Sequence, residues 1–452
     1  MLLRAQYIIP VTDEPFENGA VLVRDGVIRD MGSAELLSLR YPDEESVDFG
    51  MSAIMPGMID LFSRLENSAM RGIVPDQKYP GWVMSVHEAG AKLDAHDWHA
   101  SSVLGGLEAL SNGITCVADV SATGASCTAM QKLGLRGVVY REVGAMDKRR
   151  VDDAMDRAHN DIVRWQESVG SDLLTIGIAP RETYACHPAV YKQAAAIARE
   201  EDIPIAVAVA GSREEYDFIK YGSSAFSISS LASRRGFVEV PPWLPTGVSP
   251  VRYVLNWGAF EADNVTAVHC IHLDEDDTQM LKERGVSIVV CPRCNAQLSM
   301  GIAPLREFLR AGITVGLGSG YAVATDAADV LSEMRMGLLL NRGANPGKFL
   351  PAKTMLELGT IGAARALKID DKVGSLEIGK RADIVAVDLS NSRQAPTDDP
   401  VTALVDTCLG DDVLMTMVDG NVRYEKDKWN VDLEVARDIA RVIEIRGKLR
   451  KH

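Results

Sequence analysis

Short apolar runs alternate along the middle of the chain with longer segments that place apolar residues every three or four positions. Apolar runs of this length are typical of buried strands, and the longer period is typical of amphipathic helices. Repeated strand–helix units predict a parallel sheet. Eight such runs occur, at Ile54–Ser63, Ile114–Ser121, Gly137–Glu142, Leu174–Pro180, Pro204–Ala210, Val265–His272, Val286–Cys294 and Thr314–Gly320. They predict an α/β fold with a (β/α)8 TIM barrel, in which chemistry belongs at the carboxyl ends of the strands.

The two ends of the chain carry a different, strand-rich pattern. Asp25-Gly26 lies between two β-rich runs and predicts a hairpin. Similar runs return at Ala382–Asp388 and Val413–Arg423. We predict that residues 1–52 and 374–425 form one small composite β-sandwich domain, that 53–373 form the barrel, and that 426–452 form a C-terminal helix. The tail helix is amphipathic, which favours packing or a subunit contact.

Two irregular insertions interrupt the strand–helix spacing. One covers residues 71–82 after the first strand and contains Trp82, and the other lies around residues 240–247 after the fifth strand and contains Trp243. Long loops on the catalytic face of a barrel usually cover a ligand pocket. We therefore expect a pocket for a small molecule beneath them.

Composition narrows the class of protein. The chain has 452 residues, of which 46% are hydrophobic and 25% charged, as in globular proteins. Its net charge of −15 disfavours nucleic acid and anionic membranes as partners. The absence of a long apolar run and of a signal-peptide pattern predicts a soluble, cytoplasmic protein. Seven scattered cysteines predict reduced thiols rather than a disulfide framework.

Several blocks of sequence stand in a characteristic order along the predicted barrel. They are Pro56–Arg64, Met70–Ile73 with Trp82, Gly106–Thr115, Ala267–Leu273, Cys291–Asn295, Leu317–Ser319 and Gly374–Asp383. Together they resemble the deaminase and chlorohydrolase branch of the amidohydrolase superfamily, which includes nucleoside deaminases, guanine deaminase and triazine hydrolases. So many blocks in the right order make the resemblance specific.

The resemblance implies a metal held by two histidines after the first strand, one after the fifth and an aspartate after the eighth. A glutamate after the fifth strand and a histidine after the sixth would move protons, and the metal would lower the pKa of a bound water. Here the ligand positions hold Phe62, Arg64, Ala208 and Gly320, and Gly211 stands at the glutamate position. A phenyl ring cannot coordinate, and a guanidinium repels a metal cation. We therefore predict that the family metal centre and any cofactor are absent.

Two arginines are candidates for binding a substrate. Arg64 stands at a ligand position, and Arg181 follows the fourth strand in the block Pro180–Tyr184. Two arginines in one pocket predict a bidentate grip on a carboxylate or phosphate. The alternative is that each arginine pairs with a nearby carboxylate and merely fills the vacated metal cavity. The nearby carboxylates are Glu66, Glu142 and Glu182.

The remaining candidates come from the same blocks. His269 keeps the position of the family's proton-transferring histidine and is a candidate acid or base. A structural hydrogen bond at the barrel rim is the alternative. Tyr184, Trp82 and Asn295 are the further candidates for substrate binding.

These residues predict a metal-independent enzyme or a binding protein for a small polar, anionic or nucleoside-like molecule. Two alternatives stay open. One is a catalytically dead subunit that partners an active paralogue, and the other is a C–N hydrolase or deaminase with a metal site that the pattern does not reveal. The expected partners are a small-molecule ligand and further copies of the chain in a homo-oligomer, a dimer, or else a paralogous subunit.

Overall fold

A computed structural model describes residues 1–223, 226, 245–325, 327–431 and 435–450. The predicted loop around Trp243 lies outside the described residues.

The chain begins with strands that belong to a separate sheet. They are β1 Leu2–Ile8, β2 Phe16–Arg24, β3 Val27–Ser33, β4 Ser46–Asp48 and β5 Ser52–Pro56. Asp25 and Gly26 have φ angles of 53° and 72° and make the turn between β2 and β3. The Asp-Gly pair supplies the positive φ values that this type of hairpin needs.

The middle of the chain forms the barrel. Its strands are β6 Met58–Ser63, β7 Ile114–Ser121, β8 Arg136–Val143, β9 Leu174–Pro180, β10 Ile205–Val209, β11 Val265–His269, β12 Ser287–Val290 and β13 Val315–Leu317. They are hydrogen bonded in chain order as parallel neighbours. At the junction of β13 and β6, the Gly320 N–H donates to the Phe62 carbonyl at 2.8 Å. The predicted (β/α)8 barrel is confirmed.

Asp60 also joins the first and last barrel strands. Its carboxylate accepts hydrogen bonds from the Ser319 N–H at 2.8 Å and from the Ser319 hydroxyl at 2.5 Å. A third hydrogen bond comes from the Phe62 N–H at 3.2 Å. Burial raises the pKa of Asp60 to about 6, although these hydrogen bonds oppose the rise. The first residue of the Asp-x-Phe-x-Arg pattern therefore closes the barrel.

The C-terminal strands complete the separate sheet. They are β14 Ile384–Asp388, β15 Val413–Val418, β16 Asn421–Glu425 and β17 Lys428–Trp429. The strand order is β17-β16-β15-β14-β5-β1-β2-β3, and β4 pairs with β1. Strands from both ends of the chain thus share one sheet, as the sequence predicts, with its own core around Ile54, Ile384 and Met417.

The predicted run Ile54–Ser63 is two strands rather than one. Its first part, β5, pairs with β1 and β14, and only β6 enters the barrel. Gly57 separates them, and its N–H donates to the Asp383 carbonyl at 2.8 Å. A Cβ atom at Gly57 would lie 2.2 Å from the Thr115 side chain, so the chain can change sheets here only with glycine.

Helices pack around the barrel and cover its mouth, and the first of them packs instead against strands β2 and β3 of the separate sheet. They are α1 Ala34–Arg40, α2 Tyr79–Gly90, α3 Ala95–Ser111, α4 Ala125–Leu133, α5 Val151–Ser168, α6 Pro188–Glu200, α7 Arg213–Tyr221, α8 Pro250–Asn256, α9 Asp277–Glu283, α10 Pro292–Gln297, α11 Leu305–Ala311, α12 Val330–Ala344, α13 Ala352–Leu358, α14 Ile361–Ala366, α15 Pro400–Asp406 and α16 Val435–Arg450. Short 3-10 turns lie at Leu65–Met70, Lys148–Arg150, Thr183–Ala185 and Gly410–Asp412. Within the described residues, no helix is both long enough and apolar enough to cross a bilayer.

The C-terminal helix α16 is tied to α3 by ion pairs. Arg441 and Lys448 bond the Asp97 carboxylate at 2.9 and 2.5 Å. Asp97 also belongs to the capping box at the start of α3, where the Asp94 side chain accepts from the Asp97 N–H. The basic face of the tail therefore packs against this chain's own barrel.

Candidate active site

A cavity of about 350 Å³ opens at the barrel mouth, between the carboxyl ends of the strands and helix α2. Its charged wall includes Arg64, Glu142, Arg181 and Glu182. Its aromatic wall is formed by Tyr79, Trp82, Trp98, Tyr184 and Tyr321. The structure thus brings four predicted site residues, Arg64, Arg181, Trp82 and Tyr184, to one cavity.

The two arginines share one carboxylate. Arg64 lies 2.7 Å and Arg181 2.6 Å from opposite oxygens of Glu142, which is buried at the end of β8. Burial acts to raise the pKa of Glu142, but the charges of Arg181 and Arg64 outweigh it and hold that pKa below its usual range. Of the two interpretations of the arginines, the structure shows pairing with a neighbouring carboxylate.

Phe62 fills the centre of the barrel. Its buried ring contacts the rings of His269 and Tyr321 edge-on, at centroid distances of 5.7 and 5.8 Å. The space left beside it, lined also by Arg64 and Ala208, is about 10 Å³. That is room for at most about one water molecule. Phe62 therefore closes the axis, whereas Arg64 lines the open cavity above it.

A side chain at the glycines of the other family positions would meet close neighbours. A Cβ atom at Gly211 would lie 2.9 Å from Met300 and 3.2 Å from His269. At Gly320, where φ is +81°, a Cβ atom would lie 2.5 Å from the Cβ atom of Cys294. Among the described residues, no group of three or more His, Cys, Asp or Glu side chains is placed to hold a metal. Phe62, Ala208 and Gly320 have no side-chain atom that can coordinate a metal, and Arg64 carries a positive charge.

His269 and Asn295 form a buried hydrogen-bonded pair. The distance from His269 Nδ1 to Asn295 Oδ1 is 2.9 Å, and His269 has an unusual φ of 75°. Its Nε2 atom has no hydrogen-bond partner among the described residues. Burial lowers the pKa of His269 to about 4, so the ring is neutral at pH 7. The pair lies beside the Phe62 ring and is not part of the described wall of the 350 Å³ cavity.

Three tyrosines connect the aromatic wall to Glu182. The Tyr79 hydroxyl lies 3.0 Å from that of Tyr184 and 3.4 Å from that of Tyr321. Tyr321 donates to Glu182 at 2.7 Å. Burial raises the pKa of all three tyrosines above the usual value, so they remain hydrogen-bond donors.

The sequence analysis missed this network, although two of its members stand beside positions that it singled out. Tyr79 lies in the insertion that carries Trp82, and Tyr321 directly follows Gly320. Glu182 was considered there only as a partner for an arginine.

The model of the amidohydrolase family matches residues 53–423, which include the whole barrel. The chain belongs to the amidohydrolase family. A similar member is the 5-methylthioadenosine/S-adenosylhomocysteine deaminase of Symbiobacterium thermophilum, which is 29% identical over 462 residues and covers 99% of each chain.

Solved structures of a deaminase and a chlorohydrolase share the fold. A zinc-bound adenosine deaminase from Xanthomonas campestris has a TM-score of 0.84 at 22% identity, covering 100% of this chain and 98% of the other. The zinc-bound atrazine chlorohydrolase TrzN from Arthrobacter aurescens has a TM-score of 0.82 at 23% identity, covering 98% and 99%. The predicted deaminase and triazine hydrolase neighbours are thus confirmed.

These relatives contradict the functional prediction made from the sequence. A metal-independent enzyme or a binding protein for a small polar, anionic or nucleoside-like molecule was expected, with a dead subunit as an alternative, because Phe62, Arg64, Ala208 and Gly320 stand at the ligand positions. Three relatives that align with 93% or more of this chain are 5-methylthioadenosine/S-adenosylhomocysteine deaminases, and they point to an active deaminase instead. The prediction was wrong because it judged the whole site by single positions and gave no weight to full-length similarity.

Proposed function

We propose that this amidohydrolase is an active deaminase, which hydrolyses the C–N bond of an amino group on a heterocycle of nucleoside size. The observation that carries the proposal is the similarity, over 99% of both chains, to a 5-methylthioadenosine/S-adenosylhomocysteine deaminase. Adenine nucleosides with an apolar or sulfur-containing 5′ substituent are accordingly the first substrates to test.

The cavity supports a substrate of this kind. Its volume of about 350 Å³ lies in the range of small-molecule sites. Trp82 and Trp98 offer large flat surfaces, on which planar rings pack favourably. The charged wall, which includes Glu182, faces the space that the ring of a substrate would occupy.

Hydrolytic deamination requires two proton transfers. The oxygen of water adds to the carbon that bears the amino group and gives up a proton, and the amino nitrogen gains a proton and leaves as ammonia. Glu182 is placed to accept the first proton, because it lines the cavity and one of its oxygens is held by the Tyr321 hydroxyl. A positioned carboxylate of this kind contributes roughly 10²–10⁴-fold to the rate.

We further propose that the family's metal ligands have been replaced here by Phe62, Arg64, Ala208 and Gly320, with Gly211 at the position of the shuttling carboxylate. The support is the filled barrel axis and the short distances that a side chain at either glycine would meet. No catalytic step is assigned to a metal for this reason. His269 is neutral, its Nε2 atom has no hydrogen-bond partner in the described part of the chain, and it is a second candidate proton acceptor beside Phe62.

The test is ammonia release by the purified full-length chain from adenosine, 5′-methylthioadenosine and S-adenosylhomocysteine, with metal content measured on the same sample. We expect ammonia from at least one of them, and a loss of roughly 100-fold or more in Glu182→Gln. Glu200→Gln, an exposed change of the same kind at the end of α6, should leave the rate unchanged. Absence of ammonia from all three compounds, with and without added zinc, would refute the deaminase proposal for this substrate class. A metal bound at one equivalent in active protein would instead refute the proposed ligand replacement.

A further inference from the structure

An uncharged amide lines the cavity at the barrel mouth. Asn67 belongs to the 3-10 turn Leu65–Met70 and is half-buried in the cavity wall. Its backbone N–H donates to the Arg64 carbonyl at 2.9 Å, so it lies beside the charged part of that wall. Its side chain makes no hydrogen bond to another residue in the described part of the chain. A donor and an acceptor, side by side, are therefore open to a ligand.

The charged side chains of the same wall are already committed. Arg64 and Arg181 pair with Glu142 at 2.7 and 2.6 Å, and the tyrosine hydroxyls bond one another or Glu182. The Nε atom of Arg64 has no described partner, but it is buried, and a guanidinium can only donate. Asn67 differs from these groups because its amide is free both to donate and to accept.

The turn that carries Asn67 is firmly anchored. The Glu66 carboxylate accepts hydrogen bonds from the hydroxyl and the N–H of Thr123 at 2.7 and 3.1 Å. The Leu65 N–H donates to the buried Asp119 carboxylate at 2.7 Å. A support fixed in this way reduces the entropy that is lost when a side chain on it binds a ligand. Asn67 is therefore placed to recognise a ligand rather than to hold the turn together.

The amide of Asn67 matches one edge of an adenine ring. That edge presents the amino group on C6 as a donor and N7 as an acceptor, and an Asn side chain pairs with both at once. The Oδ1 atom accepts from the amino group, and the Nδ2 atom donates to N7. Trp82 and Trp98 line the same cavity and offer flat surfaces for the faces of the ring, which leaves its edge for the polar wall.

Deamination changes this edge. Water supplies an oxygen to C6, the amino group leaves as ammonia, and the ring then has a carbonyl where it had a donor. The carbonyl and N7 are both acceptors, so an amide held in one orientation can form only one of the two hydrogen bonds. The same side chain therefore binds the aminated ring more tightly than the deaminated one.

We propose that Asn67 is a specificity-determining residue, which recognises the C6 amino group and N7 of an adenine ring and favours the substrate over its deaminated product. Because this role concerns the ring of the substrate, it rests on the proposed deaminase function. Glu182 keeps its separate task as the proton acceptor of the same wall.

The experiment measures dissociation constants by isothermal titration calorimetry for three ligands with the same sugar. They are 5′-methylthioadenosine, its 7-deaza analogue, in which C–H replaces N7, and 5′-methylthioinosine, which is the deaminated product. The Glu182→Gln protein is used so that the first ligand is not consumed. We expect 5′-methylthioadenosine to bind roughly tenfold more tightly than either of the others, because each of them loses one hydrogen bond to Asn67.

Further substitutions in this protein locate the effect. Asn67→Leu keeps the size of the side chain but removes its donor and acceptor, so the three affinities should differ by less than roughly twofold. Asn67→Asp keeps the acceptor for the amino group and loses the donor to N7, so it should bind 5′-methylthioadenosine no more tightly than the 7-deaza analogue. The matched control is Asn160→Leu, an exposed change on α5, which should keep the tenfold preference.

The role of Asn67 is overturned if the parent protein binds the three ligands equally, if none of them binds, or if folded Asn67→Leu or Asn67→Asp keeps the preference. Should the Glu182→Gln proteins lack a cooperative thermal transition, stopped-flow quenching of tryptophan fluorescence gives the same affinities in proteins that retain Glu182, before the ligand is consumed. Ammonia release by the wild type decides the deaminase function separately. Release together with equal affinities refutes only the recognition by Asn67, and selective binding without release refutes only the deaminase function.

Discussion

The most direct test of the charged wall is Glu142→Gln. This substitution keeps the shape of the side chain but removes the charge that holds Arg64 and Arg181. One oxygen is replaced by an N–H donor, which faces a guanidinium and repels it. The guanidinium groups of Arg64 and Arg181 then lie in the same cavity wall without the carboxylate that pairs with both of them.

The expected cost follows from the burial of each partner. The side chain of Glu142 is 5% exposed and that of Arg64 15%, so the Arg64 charge is left in a poorly solvated place. Arg181 is 37% exposed and can turn towards water, so we discount its share. Breaking a buried ion pair costs 3–5 kcal/mol, and the lower end, about 3 kcal/mol, is expected here.

Urea unfolding followed by circular dichroism measures this loss at pH 7. The matched control is Glu261→Gln, which breaks the exposed pair with Arg199 at 3.2 Å and should cost less than about 1 kcal/mol. Because the pKa of Glu142 is lowered in the fold, its contribution is present above about pH 4.5, its ordinary value, and is lost as pH falls further. A loss for Glu142→Gln no greater than that of the control would refute the assignment of the pair as buried and coupled.

Two further predictions concern the residues around Phe62. Burial lowers the pKa of His269 from 6.5 to about 4. As pH falls from 6.5 to 4, the unfolded chain therefore takes up this proton before the folded chain does. The free energy of unfolding decreases over this range by up to about 3 kcal/mol. His269→Gln should remove this dependence of the unfolding free energy on pH. Asp119 and Glu215, whose pKa values burial raises to about 7, have the opposite effect, but they have it equally in wild type and variant. Parallel profiles of unfolding free energy against pH for the two proteins would contradict the prediction. In urea unfolding, Gly320→Ala should lower the free energy of unfolding by about 1–3 kcal/mol more than Gly347→Ala does. Both glycines have a positive φ, but only Gly320 faces Cys294. Equal losses would mean that the structure around Gly320 relaxes to accept the methyl group.

The barrel could be predicted from the sequence because each strand-forming run is local and the runs follow one another regularly. The change of sheet at Gly57 could not, since it depends on Asp383 and Thr115, which are distant in sequence. Pro56-Gly57 marks a break within Ile54–Ser63, but the run does not show that its first half pairs with β14 and its second half with β7.

The candidate site shows the same limit. The strand-end positions of Phe62, Arg64 and Arg181 follow from the motif order, but their partners do not. The choice of Glu142 by both arginines depends on side-chain directions across three strands. The hydrogen bond from Tyr321 to Glu182 likewise emerges only in the fold, because the two residues are distant in sequence. The sequence identifies the charged residues, and only the fold shows which of them form ion pairs in the cavity wall.

The junction of the first and last barrel strands has a consequence for the interior. The Asp60 carboxylate and the hydrogen bond from the Gly320 N–H to the Phe62 carbonyl span it. Phe62, which fills the barrel axis, is therefore held at the line where the first and last strands join. The position of the Phe62 ring is thus set by how the two terminal strands of the barrel meet.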